Sequence, residues 1–327
     1  IKATEKYGTG AGASRLVSGN MEAHRELEGR ISRFKSTEAA LLFNSGYNAN
    51  LGVITALAGR GTEIFSDRLN HASIVDACVL SRARFTRYPH RDTVALERML
   101  EKSTAKQKLI VTDGVFSMDG TIAPVYELSA LAKRYGATLI IDDAHATGVL
   151  GAKGRGTLEH FGMETRPDII QMGTLGKALG SFGAFIAGSR ELVDLLVSKA
   201  RPFIFTTALP PAVCAASSKA LEIVEAEPEL VARLRENALL LRSCLAGAGL
   251  PSPEGETPIV PIAVGDAGKT VALSERLLEA GVFIQAIRPP TVPESTSRLR
   301  ATVSAAHTGE DIRTAVMAIK EAFDERG

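Results

Sequence analysis

The sequence predicts an α/β protein in which helices cover both faces of a mainly parallel sheet, followed by a smaller α+β domain. Through the first two thirds of the chain, short apolar runs alternate with amphipathic helical patterns. After the Pro-Pro pair at 210–211 the helical stretches become longer, and a joint rich in Pro and Gly follows at 249–258. Alternating strand and helix patterns indicate parallel strands, because parallel neighbours need a crossover connection.

The predicted strands of the large sheet share near-continuous apolar character, which is typical of strands that are buried on both faces. They are TEIFS at 62–66, KLIVTDG at 108–114, ATLIIDD at 137–143, PDIIQMG at 167–173 and GAFIAG at 183–188. Between them, DTVALERMLEK and VYELSALAKRYG carry apolar residues at i, i+3 and i+4. This spacing predicts two amphipathic helices.

The C-terminal third has its own order of predicted elements. The pattern predicts long helices at 212–225 and 228–246, strands at 259–264, 282–287 and 298–304, and helices at 269–281 and 309–323. We therefore expect three parts: an N-terminal segment at 1–30 that is incomplete in this chain, a large cofactor-binding domain at 31–225 and a small domain at 226–327.

Composition excludes several classes of protein. Lys and Arg number 38 against 37 Asp and Glu, so the formal charge is +1, and no long run of one sign predicts a nucleic-acid or membrane partner. Three scattered cysteines, Cys78, Cys214 and Cys244, have no metal-ligand spacing, so we expect buried thiols, no metal site and a reducing compartment. No apolar run approaches the ~20 residues that span a bilayer, and the N-terminus has no signal pattern. We expect a cytoplasmic protein.

Lys177 is the first candidate catalytic residue. It lies in the small-residue stretch DIIQMGTLGKALGSFGAF at 168–185, between two predicted strands. A lysine in such a loop can be partly desolvated, which lowers its pKa and favours covalent chemistry over the role of a surface cation.

The second candidate group follows the strand LIID, which delivers Asp142, Asp143 and His145 to its carboxyl end. Ligands of open α/β sheets bind at that end. A buried aspartate needs a cationic partner, and the protonated ring nitrogen of pyridoxal phosphate is one. The alternative is that Asp142 or Asp143 caps the next turn. Because Lys177 lies in the loop after the next predicted strand, we favour the interpretation that the aspartate pairs with the cofactor.

Six separated motifs then identify a family resemblance. They are LNHAS at 69–73, TDGVFSMDG at 112–120, IDDAHATG at 141–148, TLGKALG at 174–180, FIFTTALPP at 203–211, and IRPPTVP with RLR at 287–300. In this order they resemble the α-oxoamine synthases of the fold-type I pyridoxal-phosphate enzymes, along nearly the whole chain. The resemblance implies a fold-type I aminotransferase-like fold with a mainly parallel, seven-stranded sheet.

The resemblance implies a role for each residue that meets the cofactor ring. Lys177 matches the lysine that bonds to the cofactor and removes the amino acid's Cα proton. Asp142 matches the partner of the pyridine nitrogen. His145 and Ser117 match residues that contact the phenolic oxygen, and His71 matches the histidine that stacks on the ring.

Further residues match positions near the cofactor phosphate. Gly46 and Tyr47 open a predicted helix whose free N–H groups suit a phosphate. Thr174 adds a hydroxyl group near Lys177. The resemblance implies that Thr206 and Thr207 reach the phosphate of the neighbouring subunit, so we expect a homodimer with a shared active site.

Substrate binding calls for an arginine opposite a carboxylate. Arg298 and Arg300 alternate with Leu299 and so share one face of a predicted strand. The resemblance favours Arg300, and Arg298 is then an ordinary exposed strand residue. Asn44 and Arg15 lie in loops that resemble substrate-binding segments, and a structural role for Arg15 is an equal alternative.

The resemblance implies a decarboxylative condensation of an amino acid with an acyl thioester, both small molecules. Within the family, IRPPTVP most resembles the members that use L-alanine and a pimeloyl thioester, carried on coenzyme A or on a carrier protein. Glycine C-acetyltransferase, 5-aminolevulinate synthase and serine palmitoyltransferase share nearly all the cofactor residues and remain alternatives. A nucleotide-binding protein would need a glycine-rich phosphate motif, which is not found in the right context. An inert scaffold would be expected to lose Lys177.

Overall fold

The structure, a computed structural model, describes residues 1–324. The chain forms two compact units. The first combines Ile1–Phe116 with Ile122–Glu227, and the second combines Ser117–Thr121 with the chain from Pro228 onward. Ser117–Thr121 belongs to the second unit, where the Thr257 hydroxyl group donates a 2.8 Å hydrogen bond to the carbonyl oxygen of Gly120.

A seven-stranded sheet organises the first unit. Its strands are β1 (Ala39–Phe43), β2 (Thr62–Asp67), β3 (Arg84–Tyr88), β4 (Gln107–Asp113), β5 (Ala137–Asp142), β6 (Ile169–Thr174) and β7 (Ala184–Gly188). Their spatial order is β1-β7-β6-β5-β4-β2-β3. Strands β2 to β6 pair in parallel, and β7 pairs antiparallel with both β1 and β6. The predicted fold class is confirmed.

Helices cover this sheet on both faces. They are α1 (Lys2–Tyr7), α2 (Glu22–Phe34), α3 (Gly46–Leu57), α4 (Ala72–Leu80), α5 (Thr93–Lys102), α6 (Val125–Tyr135), α7 (Thr157–His160), α8 (Arg190–Lys199), α9 (Arg201–Ile204) and α10 (Pro211–Ala226). Consecutive strand residues enter different cores: Leu139 packs with α5 and α6, whereas Ile140 packs with α3 and α4. Burial on both faces explains the near-continuous apolar runs of the strands.

Two strands of the sheet, β1 and β3, were not predicted. The sequence of β1 is AALLF, which is fully buried but too short to distinguish a strand from a helix by periodicity. Strand β3, RFTRY, lies at the edge of the sheet, and its first residue is exposed. An edge strand needs less apolar surface, so its pattern is weak.

The second unit has a separate α+β core. Its antiparallel sheet has the order β8-β10-β9. The elements are α11 (Glu229–Gly247), β8 (Ile259–Gly265), α12 (Ala267–Glu279), β9 (Gln285–Ile287), β10 (Ser297–Thr302) and α13 (Gly309–Asp324). Helix α12 begins two residues before its predicted start because the Asp266 side chain accepts a hydrogen bond from the Lys269 backbone and caps it.

The three cysteines are free thiols. Burial raises the pKa of Cys78 and of Cys214 to about 12, so neither thiol is a reactive nucleophile at neutral pH. Residues 1–324 contain no cluster of three His, Cys, Asp or Glu side chains that could hold a metal ion. In the same range no helix combines the length and the apolar character needed to cross a membrane.

Candidate active site

The carboxyl edge of the large sheet brings together several of the residues that the sequence singled out. Asp142 ends β5, Thr174 ends β6, and Lys177 follows in the loop between β6 and β7. His71 caps the first turn of α4, and His145 lies three residues beyond the end of β5. This edge is where open α/β sheets bind ligands.

Asp142 is buried and is held by neutral hydrogen-bond donors. Its Oδ2 accepts a 2.7 Å bond from Asn50 Nδ2, and its Oδ1 accepts a 2.9 Å bond from the Ala144 backbone. Burial raises the pKa of Asp142, whereas these two bonds and the charges of Lys177 and His71 act in the opposite direction. Asp142 therefore caps the following turn and also presents a carboxyl group to the site.

A chain of hydrogen bonds joins Asp142 to His71. Asn50 Nδ2 also donates to Ser73 Oγ at 2.9 Å, and Ser73 Oγ lies 2.8 Å from His71 Nδ1. The Ser73 backbone donates to the same Nδ1, so Nδ1 acts as an acceptor and the neutral ring carries its proton on Nε2. The chain fixes the orientation of the His71 ring relative to the Asp142 carboxyl group.

The loop of Lys177 differs from the expectation in its burial. Gly176, Lys177 and Ala178 are all exposed, so the loop does not bury the lysine. The reason is that the flanking side chains are too small to cover it. The loop lies against the segment after β5, since a Cβ on Gly148 would sit 2.8 Å from the Cβ of Ala178.

The N-terminus of α3 contacts the end of β6. A Cβ on Gly46 would lie 2.9 Å from Thr174 Cγ2, so a larger residue would not fit there. Ser45 caps the helix by accepting a hydrogen bond from the Asn48 backbone. The Tyr47 hydroxyl group donates to Asp76 Oδ2 at 2.9 Å and so points to α4. The Thr174 hydroxyl group donates to the Ala144 carbonyl oxygen at 3.3 Å.

Asn44 and Thr206 are brought together within one chain. Asn44 Nδ2 donates to Thr206 Oγ1 at 3.0 Å, and Asn44 Oδ1 accepts a 2.6 Å bond from Asn48 Nδ2. Thr207, the next residue, is exposed.

Arg15 lies apart from this group of bonds. Its two Nη atoms donate to the two carboxylate oxygens of Glu28, both at 2.9 Å, and its Nε donates to Asn20 Oδ1 at 3.0 Å. The ion pair is largely buried, with 9% and 14% of the two side chains exposed. The structural role that the sequence left open is the one that these contacts favour.

Asp143 points to a different partner from its neighbour Asp142. Its Oδ2 forms a 2.9 Å ion pair with Lys35 Nζ, and both side chains are completely buried. Its Oδ1 accepts a 2.7 Å bond from the Thr157 hydroxyl group. Asp143 is therefore a structural anchor at the end of β5, and Lys35 is its buried partner, which the sequence did not reveal.

Ser117 and Arg300 belong to the second unit. Arg300 Nε donates to the Ser117 carbonyl oxygen at 2.5 Å, and Arg300 Nη1 donates to Thr302 Oγ1 at 3.0 Å. Burial lowers the pKa of Arg300. The expectation for Arg298 is wrong, because its guanidinium group pairs with the Asp119 carboxylate and only 15% of its side chain is exposed.

Sequence reasoning missed Asn50, Ser73 and Asp113 at this edge. Asn50 is a polar residue in an otherwise apolar stretch of α3, and Asp113 ends β4 as Asp142 ends β5. Those two patterns could have identified Asn50 and Asp113 from the sequence. Ser73 has no comparable signal, because a serine near a helix start usually serves as a cap.

Comparisons with known proteins agree with this architecture. The family described as aminotransferase class I and II matches residues 1–319. The chain belongs to this family. An 8-amino-7-oxononanoate synthase from Geobacter sulfurreducens is 58% identical to this chain. The alignment covers 100% of this chain and 84% of the relative.

Solved structures of α-oxoamine synthases share the fold of this chain. Serine palmitoyltransferase from S. paucimobilis, solved with bound PLP and myriocin, superimposes with a TM-score of 0.95 at 34% identity and covers 99% of this chain and 82% of its own. An 8-amino-7-oxononanoate synthase from Francisella tularensis superimposes with a TM-score of 0.84 at 29% identity. The superposition covers 99% of this chain and 91% of the Francisella chain. The resemblance to the α-oxoamine synthases is confirmed.

Proposed function

We propose that this protein is a pyridoxal-phosphate-dependent acyltransferase that condenses L-alanine with a pimeloyl thioester. The products are 8-amino-7-oxononanoate, carbon dioxide and the free thiol, as in biotin biosynthesis. The single observation that carries the choice of substrates is the 58% identity, over the whole of this chain, to a relative named 8-amino-7-oxononanoate synthase.

Serine palmitoyltransferase is the second candidate, because its backbone superimposes with the higher TM-score, 0.95 against 0.84. Backbone similarity reports the shared fold, whereas substrate choice depends on side chains at the site. The sequence identity to serine palmitoyltransferase is 34%, well below the 58% to the oxononanoate synthase. We therefore rank alanine and a pimeloyl donor first.

The residues at the carboxyl edge fit pyridoxal phosphate. The Asp142 carboxyl group is buried, and a cationic ring nitrogen would offset the cost of burying its negative charge. Lys177 lies on the adjoining loop, and the N-terminus of α3 offers backbone N–H groups beside Thr174 for a phosphate. When bound, pyridoxal phosphate supplies an electron-accepting ring that stabilises negative charge at the Cα of an amino acid.

Each residue around the ring then has a defined task. Lys177 Nζ would hold the cofactor covalently and, once the amino group of alanine has displaced it, the freed amine would accept the Cα proton of alanine. Asp142 keeps the ring nitrogen protonated, and Asn50 holds Asp142 in place. His71 would pack on the ring with its own proton on Nε2, and His145 would contact the phenolic oxygen.

The remaining residues bind the charged ends of the cofactor and substrates. We assign the phosphate to Gly46, Tyr47 and Thr174 of the same subunit and to Thr206 and Thr207 of the partner subunit, and a further contact to the phenolic oxygen to Ser117. Arg300 binds the alanine carboxylate, because both of its hydrogen bonds go to neutral oxygen atoms, whereas Arg298 is already paired with a carboxylate. We also assign Asn44 to substrate binding.

We also propose a cytoplasmic homodimer in which Thr206 and Thr207 complete the site of the partner. Phe205, which precedes them, is 70% exposed, and Phe182, in the loop of Lys177, is 55% exposed. Exposed aromatic residues are enriched at protein interfaces. Sedimentation tests this proposal: a catalytically active monomer would contradict it.

Thiol release with a panel of substrates tests the activity. Alanine, glycine and serine are each combined with acetyl, succinyl, pimeloyl and palmitoyl thioesters, on coenzyme A and on a carrier protein. The proposal predicts the highest kcat/KM for alanine with a pimeloyl donor. A preference for serine with a palmitoyl donor would support the second candidate instead.

A further inference from the structure

Asp113 is a buried carboxyl group to which none of the assignments above gives a role. It is the last residue of β4 and is only 6% exposed. In the parallel register of β4 and β5, it pairs with Asp142. Side chains at paired positions of neighbouring strands leave the same face of a sheet. The two carboxyl groups therefore lie on one face at the carboxyl edge.

The two carboxyl groups receive unequal support from hydrogen bonds. Asp142 accepts bonds from Asn50 Nδ2 and from the Ala144 backbone. Asp113 Oδ2 accepts a 2.8 Å bond from the His71 backbone N–H. Because N–H donors favour the ionised form of a carboxyl group, Asp142 is the member of the pair that better holds a negative charge.

Three charged groups and one backbone N–H act on Asp113. The charged groups are Asp142 on β5, Lys177 in the loop after β6 and Asp67 at the end of β2, and the N–H belongs to His71 at the start of α4. Burial, followed by the negative charge of Asp142, raises the pKa of Asp113 well above its ordinary value, and the charge of Lys177 opposes this. Two carboxyl groups at such a site do not ionise together readily, and one of them keeps its proton.

We propose that Asp113 is a positioning residue of this active site: its carboxyl group keeps a proton beside the ionised Asp142 and anchors the backbone of His71. The pair then presents one negative charge, on Asp142, to the ring nitrogen of the cofactor. A second charge on Asp113 would compete with Asp142 for the cationic groups of the site. The inference rests on the proposed function and extends it to a residue outside the family assignments given above.

The cofactor-free protein provides a test that does not depend on turnover. A carboxyl group whose pKa is raised in the native state stabilises the fold below its unfolded pKa, near ~4, and that stability is lost as pH rises through the native pKa. Asp113→Asn removes this contribution. Between about pH 5 and about pH 9, the Tm of the wild type should therefore fall by ~3 °C or more relative to the Tm of the variant.

Asp168→Asn is the control. Asp168 directly precedes β6, at the amino end of that strand, and pairs with Arg166, so the variant makes the same change of carboxyl group to amide away from the carboxyl edge. The hydrogen bond from Arg166 lowers the pKa of Asp168, so its contribution to stability stays constant above about pH 5, and the Tm of the variant should keep the wild-type dependence on pH. An Asp168→Asn curve as flat as that of Asp113→Asn would overturn the proposal, because the effect would then not be specific to the pair.

Infrared spectroscopy keeps the proposal testable if Asp113→Asn does not fold. The cofactor-free wild type at neutral pH should have the carbonyl band of a protonated carboxylic acid, and Asp113→Asn, where it folds, should lose that band. A wild type with no such band, or a variant with the wild-type dependence of Tm on pH, would overturn the role of Asp113.

Failure of the proposed function would look different. In that case the wild type would bind no pyridoxal phosphate, whereas the pH dependence of its cofactor-free Tm would be unaffected. If the function holds, Asp113→Asn should bind pyridoxal phosphate with an affinity within about threefold of the wild type, because the amide resembles the protonated acid. A loss of about a hundredfold would mean that an ionised Asp113 is required, which contradicts the proposal.

Discussion

Asn50 Nδ2 donates a 2.7 Å hydrogen bond to Asp142 Oδ2, and this bond joins helix α3 to the carboxyl end of β5. Both residues are buried, so the bond replaces water that neither group can reach. The same helix begins at Gly46, beside Thr174. Helix α3 therefore helps to position both the carboxyl group that we propose for the ring nitrogen and the N–H groups that we propose for the phosphate.

Asn50→Ala should weaken binding of pyridoxal phosphate. Loss of a hydrogen bond to a charged group costs about 1.5–3 kcal/mol, so the Kd should rise about tenfold or more. Cofactor titration followed by visible absorbance measures this. The control is Thr55→Ala on the same helix, which removes only a bond to the Leu51 carbonyl oxygen and should leave the Kd unchanged. Equal Kd values for Asn50→Ala and the wild type would show that the bond does not support the site.

Lys35→Met should destabilise the whole first unit. It leaves Asp143 buried without its cation, and breaking one side of a fully buried ion pair costs about 3–5 kcal/mol. Denaturant unfolding measures the loss as a lower midpoint. Lys6→Met, which removes the exposed pair with Glu22, should leave the midpoint unchanged. A midpoint for Lys35→Met equal to that of Lys6→Met would refute the anchoring role of Asp143.

His24 should make the fold sensitive to acid. The ring is buried, with Nε2 2.8 Å from the Leu209 carbonyl oxygen and Nδ1 accepting from the Met21 backbone. Burial lowers the pKa of His24 below 6.5, so the neutral ring stabilises the native state above that pH, and this stability is lost as pH falls through the lowered native pKa. The glutamine of His24→Gln does not titrate, so the Tm of this variant should fall less than the Tm of the wild type between about pH 7.5 and about pH 5. Parallel Tm curves would contradict this.

Arg300→Lys should raise the KM for L-alanine by about tenfold or more and leave the KM for the thioester unchanged, because a lysine cannot bind a carboxylate in bidentate fashion. Arg298→Lys is the matched control from the same face of β10. Its guanidinium group is occupied by Asp119, so the KM for alanine should change much less. A larger effect at Arg298 would exchange the two roles. Steady-state kinetics with each substrate varied in turn distinguishes these outcomes.

Patterns that depend on neighbouring residues in the chain were readable from the sequence. The strand ending at Asp142 and the helix at 125–135 follow directly from apolar spacing, and their observed bounds agree closely with the predicted ones. Strand β3 escaped prediction because its edge position removes the need for apolar residues.

Pairs that form only in the folded chain could not be read in the same way. The ion pair of Lys35 with Asp143 joins residues 108 positions apart, and the bond of Asn50 to Asp142 spans 92 positions. Arg298 was misjudged for the same reason, since its partner Asp119 lies 179 positions away. Side chains of this kind carry no periodic signal, so only the folded structure reveals their partners.

We propose above all that Lys177 holds an aldehyde cofactor at the carboxyl edge of the sheet. Borohydride reduction of the protein after incubation with pyridoxal phosphate, followed by peptide mass spectrometry, tests it most directly. We predict a visible absorbance band before reduction and a pyridoxyl group on the peptide that contains Lys177, with both absent in Lys177→Ala. A folded wild type that stays colourless, or a label on a different lysine, would contradict the account.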